Sequence, residues 1–330
     1  MSTGYAIVAT ESTYDTAPAS GWREVGISGD AHQSRQDVLA PNLIRRNASA
    51  PRVSDQRVIN KGATGTLSTL GFSNGLGILF AASVADSSSG VVSGGTLAYE
   101  QVFEFGAEAP AGSISTEFYR DRRSGTLDAF TYTGGKVTQV QFTQSLDGHL
   151  AIVFSMDYGS VERQSSDPSR TVTTVTPDFT YAWPDATISL APVGDTAVDE
   201  CVSSFDLTLP NALDVEDWCI KRGTGRHEPT RNATPAPTGT INWRYQAPTY
   251  FDAFLAGEVF ELTANWQAPD VIEDTTYPSL TISVPAIRFT GEDPQIAADG
   301  PTTQNLPFAV LDNGTDPAAT LTIVTSDSAF

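Results

Sequence analysis

Cysteine is nearly missing from this chain, with Cys201 and Cys219 the only two in 330 residues. They stand 18 apart without a neighbouring cluster of metal-ligating residues, which favours two buried reduced thiols over a disulfide or a zinc site. Basic residues are also scarce, 19 Lys and Arg against 39 Asp and Glu. The imbalance lies toward the rear: residues 1–100 carry 7 basic and 8 acidic groups, residues 201–330 carry 6 and 17. Such a surface repels phosphate and argues against sequence-specific DNA binding; DNA that meets this protein has to pass without sticking. No window reaches the ~18 uninterrupted apolar residues of a membrane span. The opening MSTGYAIVATEST lacks a basic segment followed by an apolar core, so the expectation is a protein folded in the cytoplasm.

What the chain does have is apolar and aromatic content, 40% hydrophobic with 16 Phe, 10 Tyr and 5 Trp. That is enough to offset chain entropy, and the length suits two cores. Most of it reads as strands, in runs such as KVTQVQFTQSL (136–146), LAIVFSMDYG (150–159) and SLTISVPAIRF (279–289). Asp147-Gly148 between the first two predicts a hairpin. Two short helices are expected, Gly75–Asp86 and Thr249–Leu262, with apolar residues recurring at three and four. Leu76, Leu79, Phe80 and Val84 form the core stripe of one; Phe251, Phe254, Leu255, Val259 and Leu262 form that of the other. The polar passages 87–95, 163–178 and 231–239 read as loops, the middle one as the connection between halves.

The chain also repeats itself. ATGTLSTLGFSNGLGILFAASV from Ala63 can be laid over PTGTINWRYQAPTYFDAFLAGEV from Pro237, each a T-G-T, a strand, a turn and a helix. Upstream, Ile44-Arg45-Arg46 lies over Ile220-Lys221-Arg222 at nearly equal distance from T-G-T. The first copy contains GFSNG, the G-x-S-x-G pattern of a nucleophile elbow around Ser73. The second copy has only a turn there, around Ala247, Pro248 and Thr249, so the shared element does not need the serine. The β-rich setting and the three dispersed histidines, His32, His149 and His227, give no triad. No catalytic, cofactor or metal residue is assigned.

Each copy carries a basic arm before its strand: Arg45, Arg46, Arg52, Arg57 and Lys61 in the first, Lys221, Arg222, Arg226 and Arg231 in the second. Arginine forks in a loop of an acidic protein suit bidentate contact with carboxylates of an adjacent subunit. The acid pairs Glu216-Asp217, Glu273-Asp274 and Glu292-Asp293 lack calcium-loop spacing and read as solvated loops.

The opening GYAIVATESTYDTAPASGWREVGISG resembles that of bacteriophage tail tube (major tail) proteins of long non-contractile tails. So do RVINKGATGTLSTLGFSNGLGILFAAS, STEFYRDRRSGTLDAFTYTGGKVTQVQFTQSLDG, SSFDLTLPNAL and LTISVPAIRFTGEDP followed by LPFAVLDNGTDPAATLTIVTSD. Together they cover most of the chain in family order. The resemblance implies a mainly β protein of two tandem tail-tube-like β-sandwich or barrel domains, 1–180 and 181–330, each with one short flanking α-helix. It implies a non-enzymatic virion protein without cofactors, whose partners are copies of itself, a tape measure protein and a tail terminator. Three chains would form a ring with pseudo-sixfold symmetry, six chains being the alternative. Rings would stack into a conduit with an acidic lumen for DNA ejection, the arms touching the next ring. A β-sandwich adhesin or carbohydrate-binding module fits the strand content but not the repeated arm, strand and helix; a serine hydrolase using Ser73 is the remote alternative.

Overall fold

The computed structural model describes residues 4–39, 50, 53–106, 108–122, 126–164, 168–175, 178–218, 227–245, 248–291, 293–296, 302–328 and 330. The chain is mainly β. Its strands begin with β1 (Tyr5–Thr10), β2 (Trp22–Val25), β3 (Gly29–Leu39) and β4 (Arg57–Leu70), followed by helix α1 (Gly77–Ala81). Next come β5 (Asp86–Val91), β6 (Tyr99–Phe105), β7 (Ile114–Asp121), β8 (Leu127–Ser145), β9 (Ala151–Tyr158), β10 (Ser160–Gln164) and β11 (Val172–Thr173). The rest comprises β12 (Ala186–Pro192), β13 (Val198–Glu200), β14 (Val202–Pro210), β15 (Thr238–Arg244), helix α2 (Thr249–Ala256), β16 (Phe260–Gln267), β17 (Ser279–Phe289), β18 (Thr303–Val310) and β19 (Ala319–Thr325).

The strand pairing has an internal pattern. The antiparallel pairs β1–β2, β1–β7, β7–β8, β8–β9, β8–β10, β3–β4 and β4–β9 have counterparts in the same chain order. These are β12–β13, β12–β16, β16–β17, β17–β18, β17–β19, β14–β15 and β15–β18. Two features of the first half have no such counterpart: the β5–β6 hairpin, inserted after α1, and β11, which runs parallel to β2. The hairpin reaches across the molecule, where β6 pairs with β19.

The long strand β8 serves two sheets. Its first part lies between β7 and β10, its second between β9 and β14. It turns from one to the other at Gly134-Gly135. Gly134 has φ +64°, and a Cβ on Gly135 would lie 2.6 Å from the Ile114 carbonyl oxygen, so side chains are excluded from both positions. Because β8 pairs with β14, the order β3-β4-β9-β8-β14-β15-β18-β17 is continuous in hydrogen bonding.

Alternation along this run sorts its side chains. Leu67, Phe154, Val140, Phe142, Leu207, Phe205, Ile241, Leu306 and Phe308 are buried on one face. The helices cover that face. In α1, Leu79 and Phe80 are fully buried, and Phe80 packs with Phe142 and Phe154 at centroid distances of 5.9 and 5.2 Å. In α2, Tyr250 packs on Trp243 at 4.6 Å. Together these faces form the principal core.

Several expectations need correction. Both helices are shorter than the periodicity predicts. α2 stops at Ala256 because Gly257, at φ 70°, takes the left-handed capping conformation and directs the chain into β16, which places Leu262 on a strand. Leu255 is 67% exposed and is no core residue. Cys201 is exposed, not buried, since it occupies the step between β13 and β14; Cys219 lies outside the described residues. The passage 87–95, read as a loop, is largely strand β5, exposed at every position, so it shows no apolar alternation. Within the passage 163–178, Arg170 stacks 4.7 Å over Trp22 and pairs with Glu117.

Candidate assembly surfaces

The face of the continuous sheet opposite the helices is polar. It presents Thr66 and Ser68 on β4, Ser155 on β9, Gln139, Gln141 and Thr143 on β8, Ser204 and Thr208 on β14, and Thr240 and Asn242 on β15. Asp157 and Asp206 are carboxylates of the same face. Asp206 accepts from Gln141 Nε2 at 2.8 Å and Thr143 Oγ1 at 2.9 Å. This is a surface of hydroxyls and amides in which carboxylates are sparse. In KVTQVQFTQ, Gln139, Gln141 and Thr143 interleave with the buried Val137, Val140 and Phe142.

The sheet also has open margins. β3 hydrogen-bonds β4 along its whole length and has no second partner strand among the described residues. Its residues are largely exposed, including Val38 and Leu39, and the neighbouring part of β4 exposes Val58 and Ile59. An unpaired row of backbone donors and acceptors is a template for another strand.

Of the basic arms, Arg57 and Lys61 are exposed on β4. Arg231 is different: its guanidinium donates to the carbonyls of Asn211 at 3.2 Å and Gly106 at 3.0 Å, and burial lowers its pKa although Glu108 opposes this. It anchors its own chain. Arg45, Arg46, Arg52, Lys221, Arg222 and Arg226 lie outside the described residues. Described residues before and within the second arm touch the first half of the chain. Asn211 Nδ2 donates to the Val137 and Ser83 carbonyls, both at 2.9 Å, and Glu228 pairs with the buried Lys136 at 2.5 Å. Glu216, read as a solvated acid, pairs with Arg35.

Glu273 also does more than solvate a loop. Its carboxylate accepts the backbone N–H groups of Thr96, Leu97 and Ala98 at 2.8–3.0 Å, and these bonds hold its pKa below the usual carboxylate value. It ties the β5–β6 turn to the β16–β17 connection. Spacing gave no sign of this, because the acceptor and its donors are far apart in sequence. Glu292 lies outside the described residues.

Ser73 is 1% exposed. Its Oγ accepts from the Phe179 N–H at 3.0 Å, and its own N–H donates to the Phe179 carbonyl. The serine is a clasp for the segment entering the second half, with its oxygen held against backbone. Glu11 and Glu117, buried carboxylates in the sheet containing β1 and β7, are likewise saturated. Glu11 accepts from Ser113, Ser115, Asp15 and Gly134; Glu117 accepts from Tyr119, Thr131 and Arg170. No group of three or more His, Cys, Asp or Glu among the described residues is placed to hold a metal ion. No described helix is long and apolar enough to cross a membrane.

The described residues thus give a β protein with one polar sheet face, one apolar face covered by helices and an open strand margin at β3. The family model for phage tail tube proteins matches residues 2–310, and the chain belongs to that family. It is thereby a component of the virion tail. No curated protein matches the chain.

Proposed function

We propose that this protein is the tail tube subunit of a long non-contractile phage tail, and that it consists of two tandem tail-tube-like domains, 1–180 and 181–330. The observation that carries this reading is the recurrence of the strand pairings of β1–β4 and β7–β10 in β12–β19. Three chains then make a ring with pseudo-sixfold symmetry, and rings stack into the conduit for DNA ejection. The protein is made in the host cytoplasm and is not an enzyme.

The polar face lines the channel in this reading. Hydroxyls and amides with scattered carboxylates, Asp206 among them, offer phosphate few cations to pair with, so DNA slides past. The acidity is thus less dense on this face than the net charge of −20 suggests. The arms, with Arg45 and Arg222, contact carboxylates of the adjacent ring. A tape measure protein and a tail terminator complete the set of partners.

End-on negative-stain microscopy of the purified protein tests the reading. Rings or tubes with three chains per ring are expected. Six chains per ring would remove the duplication, and a monomer at every concentration and salt would remove the tube and favour a β-sandwich adhesin.

A further inference from the structure

The chain contains one seam that the pairing pattern predicts twice. In the first half the order β3-β4-β9-β8 ends at β8, whose outer edge takes up β14. In the second half β14-β15-β18-β17 ends at β17. The correspondence holds residue by residue. Thr64-Gly65-Thr66 and Thr238-Gly239-Thr240 fix the two frames, pairing with Asp157-Met156-Ser155 and with Ala309-Phe308-Pro307. Lys136 and Val137 then match Arg288 and Phe289. β8 has a bulge between Val137 and Gln139; past it, Thr143 pairs with Ala151. The continuation of β17 has the same offset, because Gln295 bridges Thr303, the position matching Ala151. Gly291 and Asp293–Gln295 therefore continue the line of β17 and stand where Gln139 and Gln141–Thr143 stand in β8.

On the other side, β14 and β3 occupy the same place beside β15 and β4. Thr208 matches Gln33, Asp206 matches Ala31, and Pro210 matches Arg35. We propose that β3 of one copy pairs antiparallel with Asp293–Gln295, in line with Gly291, of a neighbouring copy, repeating between chains the β8–β14 seam found within the chain. Carrying over the pairs Gln139–Pro210, Gln141–Thr208 and Thr143–Asp206 sets the register: Arg35 opposite Gly291, Gln33 opposite Asp293 and Ala31 opposite Gln295. This rests on the reading of the chain as a ring-forming tube subunit and adds which strands meet and how they are aligned. The occupant is a second copy because the matching internal edge is already filled by the matching strand. Exposure agrees, since Ala31, Gln33, Arg35, Asp293 and Gln295 are all exposed in the isolated chain.

Directly opposed residues of an antiparallel pair have Cα atoms about 4.5 to 5.5 Å apart, within the span of a disulfide. The test uses the full chain with Cys201→Ser and Cys219→Ser, carrying Gln33→Cys and Asp293→Cys, oxidised after assembly. Intermolecular disulfides are expected, with a covalent ladder ending at the closed ring. The pair Gln33→Cys with Pro294→Cys, one residue out of register and facing opposite sides of the sheet, should lose the ladder. In the unsubstituted protein, amide exchange across residues 30–36 should slow at least tenfold on assembly. Rings without the 33–293 cross-link, or with equally fast exchange in 30–36, would overturn the seam and leave the tube reading standing. A chain that never assembles would overturn both.

Discussion

Thr138 and Thr290 make the same hydrogen bond in the two halves of the chain. Thr138 Oγ1 donates to the Ser155 carbonyl at 3.1 Å, and Thr290 Oγ1 donates to the Pro307 carbonyl at 3.2 Å. Ser155 and Pro307 hold matching positions opposite Thr66 and Thr240. Each hydroxyl adds a side-chain bond to a carbonyl of the neighbouring strand; at Pro307 it joins the Thr290 N–H, which donates to the same oxygen at 2.8 Å. Replacing either threonine with valine should destabilise the subunit by about 0.5 to 1.5 kcal/mol, read as a shifted urea midpoint. An unchanged midpoint in both variants would make the two bonds incidental.

The core prediction concerns Phe80. It is fully buried against Phe103, Phe142 and Phe154, so Phe80→Ala should cost about 3 to 5 kcal/mol in equilibrium unfolding. Leu255→Ala, at an exposed site of α2, should fall within about 0.5 kcal/mol of the parent. Phe254, only partly buried, should lie between them.

Acid should weaken the subunit through His32. The ring is packed among Phe118, Tyr132 and Tyr158, and burial lowers its pKa from 6.5 to about 4, with Asp30 opposing and Arg120 assisting the shift. The unfolded chain therefore binds the proton first. The stability held by neutral His32 is complete above about pH 6.5 and declines as pH falls toward 4. His32→Phe should flatten the thermal-stability profile across that window; an equally steep profile would assign the loss to other groups.

Ser73→Ala removes the acceptor for a backbone N–H and should destabilise by about 1 to 3 kcal/mol. Esterase assays on parent and variant should give the same background rate. A rate that fell with the substitution would reopen the nucleophile reading.

The arms divide by location. Arg231→Ala should lower subunit stability, because its guanidinium joins two carbonyls of its own chain. Charge reversal at Arg45 and Arg222 together should instead weaken ring stacking, with added salt doing the same to the parent. Sedimentation and denaturation, measured on the same samples, separate the effects. Normal polymerisation of the double variant at all salt concentrations would remove the arms from the interface.

The sequence revealed those features whose signal is local. Asp147-Gly148 predicted the β8–β9 turn, where Asp147 takes φ 63°, and T-G-T marked two strands that prove to hold matching places. Leu79 and Phe80 announced their burial through helical spacing. What escaped was non-local or patternless. β5 has no apolar side because neither of its faces is buried. Glu273 meets its donors only after the sheet closes. The helix limit at Gly257 was misread because Leu262 continues an apolar rhythm by chance, one strand further on.

The β5–β6 hairpin occurs in the first half only, laid against β19 of the second. Any closed assembly of this chain therefore carries that ornament once per polypeptide, however evenly its interior repeats. If such an assembly repeats its interior twice per chain, this hairpin returns the count to one per chain, so its density would report the number of polypeptides directly.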